Sequence, residues 1–233
     1  MPTGVIISCL AVLIGGMTGY FLRSFFSESM KASLNGAFGL AAMVIGISLI
    51  TGVNSLSAVI LSLLLGCCVG TALKIEERTS AGIGRITRKI PCFAHMDEIK
   101  TESLISVMIL ILTSTAGIFG AINEGITGDH TILITKAILD FFTAAIFAAD
   151  IGTLVPLLSI PQFVLLFAMY LSGGTLSSVL TDLMIADFKA CGGIIILSVA
   201  FRIMNVNRFK AMNLLPALVI VLPVSYYWIR LFG

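Results

Sequence analysis

The chain has 233 residues, of which 58% are hydrophobic and only 11% are charged, and its mean hydropathy is +1.09. Because a soluble domain carries about 25% charged residues, this composition excludes a water-soluble globular fold. The net charge of +2 is too small to indicate a nucleic-acid-binding protein. We therefore predict an all-α fold: a polytopic bundle of membrane helices in a lipid bilayer.

Eight apolar runs are long enough to cross a bilayer, which takes about 20 residues in a helix. They cover residues 4–22, 34–52, 55–73, 103–122, 131–149, 161–180, 189–206 and 213–231. The last run contains Pro216 and Pro223, which we expect to kink the helix without ending it. The start of the chain lacks the basic segment and cleavage site of a signal peptide, so we expect the first run to be retained. Residues 1–233 are thus predicted to form a single transmembrane domain.

The segment 74–102 is the one sizeable hydrophilic loop. Isoleucines recur in it at spacings of three and four residues, with basic residues between them, which predicts an amphipathic helix on a membrane surface. The isoleucines are Ile83, Ile86 and Ile90, and the basic residues are Arg85, Arg88 and Lys89. Two interpretations stay open: a regulatory or ligand-binding segment, and a simple connector lying on the lipid.

The basic residues outside the membrane are distributed asymmetrically between the two sides that eight crossings define. One side holds Arg23, Lys31, Lys74, Arg78, Arg85, Arg88, Lys89, Lys100, Arg202, Arg208 and Lys210, and the other holds only Lys189 and Arg230. Because the side rich in Lys and Arg is cytoplasmic, we expect both termini to be extracytoplasmic. The predicted location is the inner membrane of a bacterium.

A weak internal repeat relates the two ends of the chain. Residues 30–54 resemble residues 184–208 without gaps, and residues 13–21 resemble residues 171–179. Runs 1–3 therefore correspond to runs 6–8. Because five crossings separate the two repeats, they would be inverted relative to each other. This arrangement is typical of secondary transporters.

Lys136 and Asp140 interrupt the apolar fifth run. Counted from Thr131 at 1.5 Å per residue, Asp140 lies about 14 Å into the run, near the bilayer centre. A charge at that depth costs about 3 kcal/mol on insertion scales. Four residues apart on a helix, the two side chains share one face and pair, and we expect them to face a polar cavity between helices. Either the pair is a structural bridge, or it binds a solute, an ion or a proton.

The fourth run ends in a polar, glycine-rich stretch. Thr113, Ser114 and Thr115 place three hydroxyl groups in succession, and glycines follow at positions 117, 120, 125 and 128. This pattern predicts an interrupted membrane helix whose freed backbone groups bind a solute. Asn123 and Glu124 are predicted at the outer mouth of the path, unless they belong to a solvated loop.

Enzyme motifs are absent from the sequence. It contains no G-x-x-x-x-G-K-[ST] nucleotide loop, no H-E-x-x-H zinc motif and no G-x-S-x-G nucleophile elbow. Asp140 and Asp150 would lie about 15 Å apart along one helix, too far to share a proton. We expect no enzymatic activity, no cofactor and no metal centre.

Several blocks of the sequence are characteristic of one family. These are GAINEGITGD (120–129), TKAILD (135–140), KACGGIIIL (189–197) and NLLPAL (213–218). With them, the chain resembles the bacterial family of membrane proteins of unknown function typified by YqgA and YdfK. The resemblance runs nearly end to end and implies a polytopic membrane protein, but no substrate.

The sequence as a whole favours a secondary transporter or permease for a small solute or ion. The predicted binding residues are Lys136, Asp140, Thr113, Ser114, Thr115, Asn123 and Glu124. Eight helices enclose a central path only tightly, so we expect a homodimer. The alternative is a membrane sensor or assembly protein that acts through the basic loop 74–102 without transporting anything.

Overall fold

The computed structural model describes residues 1–22, 28–89, 107, 111–112, 114–176, 180–204, 206 and 210–232. Within these residues the fold is entirely helical. The helices are α1 (Thr3–Phe21), α2 (Glu28–Ile50), α3 (Leu56–Ala72), α4 (Ile75–Lys89), α5 (Thr115–Thr127), α6 (Thr131–Ile151), α7 (Ser159–Leu176), α8 (Asp182–Ile203) and α9 (Pro216–Phe232). Short 3-10 turns, Pro156–Leu158 and Ala211–Leu214, precede α7 and α9.

Five helical segments in the described part of the chain are long and apolar enough to cross a membrane. They are Thr3–Phe21, Thr131–Ala149, Pro156–Leu176, Asp182–Arg202 and Ala211–Leu231. Two further apolar segments, Gly39–Ile50 and Leu56–Ala72, are shorter. Most of the predicted run 103–122 lies outside the described residues. The helical fold, with several segments suited to crossing a membrane, is therefore confirmed, and the count of eight crossings stays a prediction.

Two predicted helix boundaries are wrong for identifiable reasons. The run 189–206 belongs to a helix that begins at Asp182, because the side chain of Thr181 accepts a hydrogen bond from the N–H of Met184 and caps it. Pro216 does not kink the last helix but is its first residue, where a missing N–H costs nothing. Pro223 lies inside α9, as predicted.

The predicted amphipathic helix of the loop 74–102 is confirmed as α4, Ile75–Lys89. Its start is held by Glu76, whose carboxylate accepts a hydrogen bond from the side chain of Arg202 at 2.8 Å and one from the N–H of Met212 at 3.3 Å. Asn213 accepts the backbone N–H of Glu76 at 3.0 Å. Ile90 and the rest of the loop lie outside the described residues, as do the side chains of Ile83 and Ile86.

The chain divides into two compact units. Unit 1 comprises Met1–Leu34 and Glu77–Thr175, and unit 2 comprises Asn35–Glu76 and Leu176–Gly233. Unit 1 therefore contains α1, most of α4, α5, α6 and α7, whereas unit 2 contains α3, α8, α9 and most of α2. Each unit combines helices from two separate parts of the sequence.

In unit 1, α1 and α6 lie side by side in the same direction. A Cβ atom on Gly15 would overlap the carbonyl group of Phe141, and one on Gly19 would overlap that of Ala145. Only glycine permits this approach, so the motif GGMTG (15–19) forms a small-xxx-small helix contact.

In unit 2, α3 and α9 pack in opposite directions through the second motif of this type. Gly66 contacts Ala217, and Gly70 contacts the carbonyl group of Asn213, in each case with no room for a Cβ atom. The motif GCCVG (66–70) thus forms a second close helix contact.

The exposed face of α1 in unit 1 is apolar, whereas part of the interior of the unit is polar. On α1, Ile6, Leu10, Ile14 and Met17 are exposed, whereas Ser8 is fully buried. This is the reverse of a soluble helix and fits lipid as the surrounding solvent.

Candidate functional site

The site begins with the charged pair on α6. Lys136 and Asp140 are 4% and 8% exposed, and the ammonium group donates a hydrogen bond to Oδ2 of Asp140. The i, i+4 spacing produces this pair as predicted. A Cβ atom on Gly117 of α5 would lie 2.6 Å from Cε of Lys136, so this glycine makes room for the lysine stem.

Two polar side chains from other helices complete the cluster, and the sequence analysis missed both. Ser8 of α1 donates to Oδ2 of Asp140 at 3.3 Å. The amide Nε2 of Gln162, on α7, lies 3.0 Å from the same oxygen and 3.1 Å from Oγ of Ser8. Lys136, Asp140, Ser8 and Gln162 together form a polar cluster, called here the Asp140 cluster. The sequence does contain a sign of these contacts, since Ser8 and Gln162 are each flanked by apolar residues.

The amide of Gln162 has one satisfied end and one unsatisfied end. Its NH₂ group must face Asp140, because the opposite orientation would place the amide oxygen against a carboxylate oxygen. Oε1 accepts no hydrogen bond from any residue that the structure describes, although the side chain is only 1% exposed. An unmade hydrogen bond of a buried group costs about 1–3 kcal/mol, so this glutamine is not explained by stability alone.

Apolar packing surrounds the Asp140 cluster on both sides along α1. One core cluster contains Val5 and Cys9 of α1, and the other contains Val12. Ser8 lies between them on the same helix face. The close contact of α1 with α6 through Gly15 and Gly19 brings the Ser8 hydroxyl within reach of Asp140.

Two cavities of the described structure bear on the polar cavity predicted beside the pair. Unit 1 has an apolar groove of about 300 Å³ between α1 and α7, and unit 2 has a cleft of about 310 Å³ that includes Asp182 and Lys189. Neither is lined by Lys136 or Asp140. Ser8 and Gln162 contact Asp140, and both members of the pair are buried.

Glu124 was predicted at an outer mouth unless it belonged to a solvated loop, and it does not belong to a loop. It lies in the last turns of α5 and is 2% exposed. Its carboxylate accepts the backbone N–H groups of Gly4 at 2.7 Å and Val5 at 3.3 Å. These are unsatisfied donors at the start of α1, whose own N-cap, Pro2, supplies no side-chain hydrogen bond. Glu124 therefore caps α1 from a neighbouring helix.

Asn123 was also misplaced by the sequence analysis. It lies inside α5, fully buried, and its amide donates to the carbonyl oxygen of Asp129 at 3.3 Å. Its Oδ1 accepts no hydrogen bond from the residues described. Hydropathy ended the run at residue 122, but the helix continues to Thr127 and ends at Gly128, whose φ of 75° suits glycine.

The predicted helix interruption lies where the hydroxyl groups occur. Ile111 and Leu112 are helical, and Ser114 is an extended N-cap of α5 whose hydroxyl accepts the N–H of Gly117 at 3.4 Å. Ser114 thus caps a helix, and no hydrogen bond in the described structure joins it to the Asp140 cluster. Thr113 and the side chain of Thr115 lie outside the described residues. The glycines 117, 120 and 125, predicted to loosen the backbone, instead lie in a regular helix and allow close packing.

Unit 2 contains a buried carboxylate of a different kind. Asp187 of α8 is fully buried, and its Oδ1 accepts the N–H groups of Asn54 at 3.0 Å and Ser55 at 2.7 Å. Its Oδ2 accepts the hydroxyl of Ser225 at 2.6 Å. Asp187 therefore caps the start of α3, as Glu124 caps α1.

The cap that Glu124 provides leads to a stability prediction. Glu124→Gln should lower the free energy of unfolding by about 2 kcal/mol, because a neutral amide replaces a charged acceptor and turns a donor toward one N–H. Thermal unfolding in detergent measures this loss. Asp182→Asn, at the exposed start of α8, is the control and should cost less than about 1 kcal/mol. Equal losses would show that the buried cap contributes nothing special.

Comparison with known proteins gives the family. Residues 3–226 match the family described as "Protein of unknown function (DUF554)". The chain belongs to this family. It is 37% identical over 239 residues to the uncharacterized protein YqgA of Escherichia coli (strain K12), with 100% of both chains covered.

A second relative in the comparisons is the uncharacterized membrane protein YdfK of Bacillus subtilis (strain 168). The identity is 26% over 234 residues, with 99% of this chain and 98% of that protein covered. The resemblance drawn from the sequence blocks is thus confirmed. No solved structure matches the chain.

Proposed function

We propose that the chain is a secondary transporter that moves a small solute or ion across the bacterial inner membrane through the Asp140 cluster. The observation that carries the proposal is a buried ion pair within an apolar helix, joined by polar side chains from two further helices. Apolar residues often replace a buried ion pair without loss of stability, so a bridge alone is a weak reason for it. Ionisable residues inside a membrane mark ion or solute pathways.

Helix directions support the proposed topology. The parallel pair α1 and α6 corresponds to runs 1 and 5, which cross in the same direction. The antiparallel pair α3 and α9 corresponds to runs 3 and 8, which cross in opposite directions. Both agree with alternating crossings and, through the basic loops, with extracytoplasmic termini.

Packing in unit 2 also supports the inverted repeat. In the alignment of 30–54 with 184–208, Gly39 corresponds to Gly193 and Gly46 corresponds to Ala200. A Cβ atom on Gly46 would lie 2.8 Å from the carbonyl oxygen of Gly193, and one on Gly193 would lie 2.7 Å from that of Gly46. A Cβ atom on Gly39 would lie 3.4 Å from the carbonyl oxygen of Ala200. The antiparallel helices α2 and α8 therefore cross at equivalent points, as a two-fold axis requires.

Runs 4 and 5 fit the same symmetry. Gly15 of run 1 packs on the backbone of Phe141 in run 5, and its counterpart in the repeat, Gly173 of run 6, packs on the backbone of Ile122 in run 4. These two contacts support placing runs 4 and 5 in equivalent positions of the proposed repeat. Inverted repeats allow two conformations that open to opposite sides, which the enclosed cluster needs for transport. A homodimer remains part of the proposal.

The second candidate function is a sensor or assembly protein that transports nothing. The helix α4 favours it, since Arg78 and Arg85 are exposed on an amphipathic helix suited to a membrane surface. In that case the phenotype should depend on these charges and every flux assay should be silent.

The transport proposal is tested in proteoliposomes loaded with a pH-sensitive dye and challenged with salts and small solutes. Ser8→Ala removes one hydrogen bond to Asp140, so flux should fall roughly two- to tenfold. Ser62→Ala is the matched control, because Ser62 is equally buried and bonds only the carbonyl group of Ala58 in its own helix. The sensor is favoured if wild-type protein gives no more flux than empty liposomes and if substitution of Arg78 and Arg85 changes the phenotype.

A further inference from the structure

We propose that the Asp140 cluster binds one monovalent alkali cation, and that this cation replaces the proton of Lys136. The inference deepens the proposed function, on which its role in transport rests, but the binding event can be measured without any flux. It stands on the oxygen atoms of Asp140, Ser8 and Gln162 and on the position of Lys136 among them.

The ligand atoms select the class of ion. A carboxylate, a hydroxyl and an amide oxygen are hard donors, which suit alkali and alkaline-earth cations and do not suit soft metals. Calcium takes six to eight oxygen ligands, usually from several carboxylates. Among the described residues, no three His, Cys, Asp or Glu side chains lie close enough together to hold a metal ion. One buried negative charge is neutralised by one monovalent cation.

The terminal amide of Gln162 serves both states of the cluster: the one that holds the Lys136 ammonium and the one that holds a metal cation. With the Lys136 ammonium present, the amide donates through Nε2 to Asp140 and leaves Oε1 without a partner among the described residues. A half-turn of the terminal amide torsion, which is soft, would bring Oε1 toward the same place. Oε1 of Gln162 therefore has no partner when the ammonium is present and becomes a ligand when the metal cation is present. This accounts for a buried glutamine that the ion pair alone does not explain.

Charge balance determines the exchange. The enclosed pair is neutral, so a cation that enters the cluster must displace a positive charge, because an uncompensated buried charge is costly. Lys136 loses its proton to water, its neutral amine moves off Asp140, and the cation takes its place. The step exchanges one proton for one cation and breaks no other bond.

Few other titratable groups lie on the described helices that pack around the pair. Among the packed helices, α7 has no charged residue, and α5 has only Glu124, whose carboxylate is held by the amides of Gly4 and Val5. The helix α1 contributes the Cys9 thiol, which interacts electrostatically with both members of the pair. The start of α6 adds His130 at its N-cap. Lys136 is the group in direct contact with the carboxylate.

The test is proton release from the purified full-length protein in weakly buffered detergent at a fixed alkaline pH. Lithium, sodium and potassium chloride are added at constant ionic strength, with choline chloride as the reference, and bound cation is measured by equilibrium dialysis. Wild type should release one proton per cation bound for at least one of the three ions. Absence of cation-specific release with all three overturns the inference.

Two variants assign the roles. Lys136→Met should bind the cation more tightly and release no proton; release equal to that of wild type overturns the role of Lys136. Gln162→Met keeps the ion pair but lacks the amide oxygen, so cation binding should weaken roughly 10- to 100-fold. Unchanged binding would mean that Oε1 is merely hydrated and would overturn its role as a ligand. Ser62→Ala should behave as wild type in both measurements.

The inference and the proposed function fail separately. Cation-linked proton release in a protein that moves nothing across liposomes would retain the binding site and refute transport. Flux of a solute that depends on Ser8 and Asp140, with no cation-linked release, would retain transport and refute the exchange.

Discussion

Asp140→Asn is expected to reduce flux in proteoliposomes at least 100-fold, to the level of empty liposomes. The carboxylate is the only acceptor shared by Lys136, Ser8 and Gln162 in the described structure. A neutral amide cannot balance a bound cation or an ammonium in this enclosed place. The flux must be measured per folded protein, since the substitution also leaves the Lys136 ammonium without its counter-ion.

A double variant tests whether the unpaired Lys136 ammonium accounts for any loss of stability. Asp140→Asn alone leaves the Lys136 ammonium buried without a counter-ion, which costs about 3–5 kcal/mol of stability. Replacing both residues, with Lys136→Met and Asp140→Asn, removes both charges and should recover most of that loss. We expect the double variant to be stable and inactive. If it is stable and transports like wild type, the ion pair is only a structural bridge.

The matched control for this carboxylate lies in unit 2. Asp187 is at least as buried as Asp140 but accepts its hydrogen bonds from two backbone amides and Ser225. Asp187→Asn should lower the unfolding free energy by about 1–3 kcal/mol and leave the flux per folded molecule unchanged. Equal losses of flux in both variants would mean that any buried carboxylate is needed for folding and that Asp140 has no special role.

The ion pair and the helix contacts could be predicted because each depends on residues close in sequence. Lys136 and Asp140 are one helical turn apart, and their burial follows from the apolar run around them. The same is true of the glycine motif at 15–19, since a surface of small residues on one helix needs some close partner. Neither prediction required knowledge of which helices are neighbours.

The rest of the site depends on which helices are neighbours. Ser8 and Gln162 reach Asp140 across 132 and 22 residues of sequence, and a lone serine or glutamine in an apolar run gives no direction. Glu124 was placed outside the membrane because hydropathy treats a carboxylate as unpaired. Its charge is in fact compensated by the amides at the start of α1, 120 residues away. Such compensation is visible only when the helices have been assembled.

The contact of α1 with α6 gives the second large expected effect. Gly15→Ala and Gly19→Ala together should lower the unfolding free energy by roughly 2–4 kcal/mol, because each added methyl group overlaps a backbone carbonyl that cannot rotate away. The two losses are less than additive, since a helix displaced by the first methyl group accommodates the second. Thermal and denaturant unfolding in detergent measure the change.

Gly36→Ala provides the control for this pair of substitutions. Gly36 lies in α2, and a Cβ atom there would meet nothing within 4 Å. The substitution should stabilise the protein by about 0.5–1 kcal/mol, since alanine loses less backbone entropy than glycine in a helix. If Gly19→Ala is as harmless as Gly36→Ala, the two helices do not approach as closely as described.

The same contact links packing to the site, and a double-mutant cycle can measure the link. The Ser8 hydroxyl lies 3.3 Å from Asp140, near the limit for a hydrogen bond, so a displacement of α1 by about 1 Å would break it. Ser8→Ala should therefore reduce flux in wild type and have almost no further effect in a Gly19→Ala background. A full Ser8→Ala effect in both backgrounds would show that the serine acts independently of the glycine contact. A missing effect would show that the glycines of α1 help to position a polar group at the ion pair, in addition to stabilising the fold.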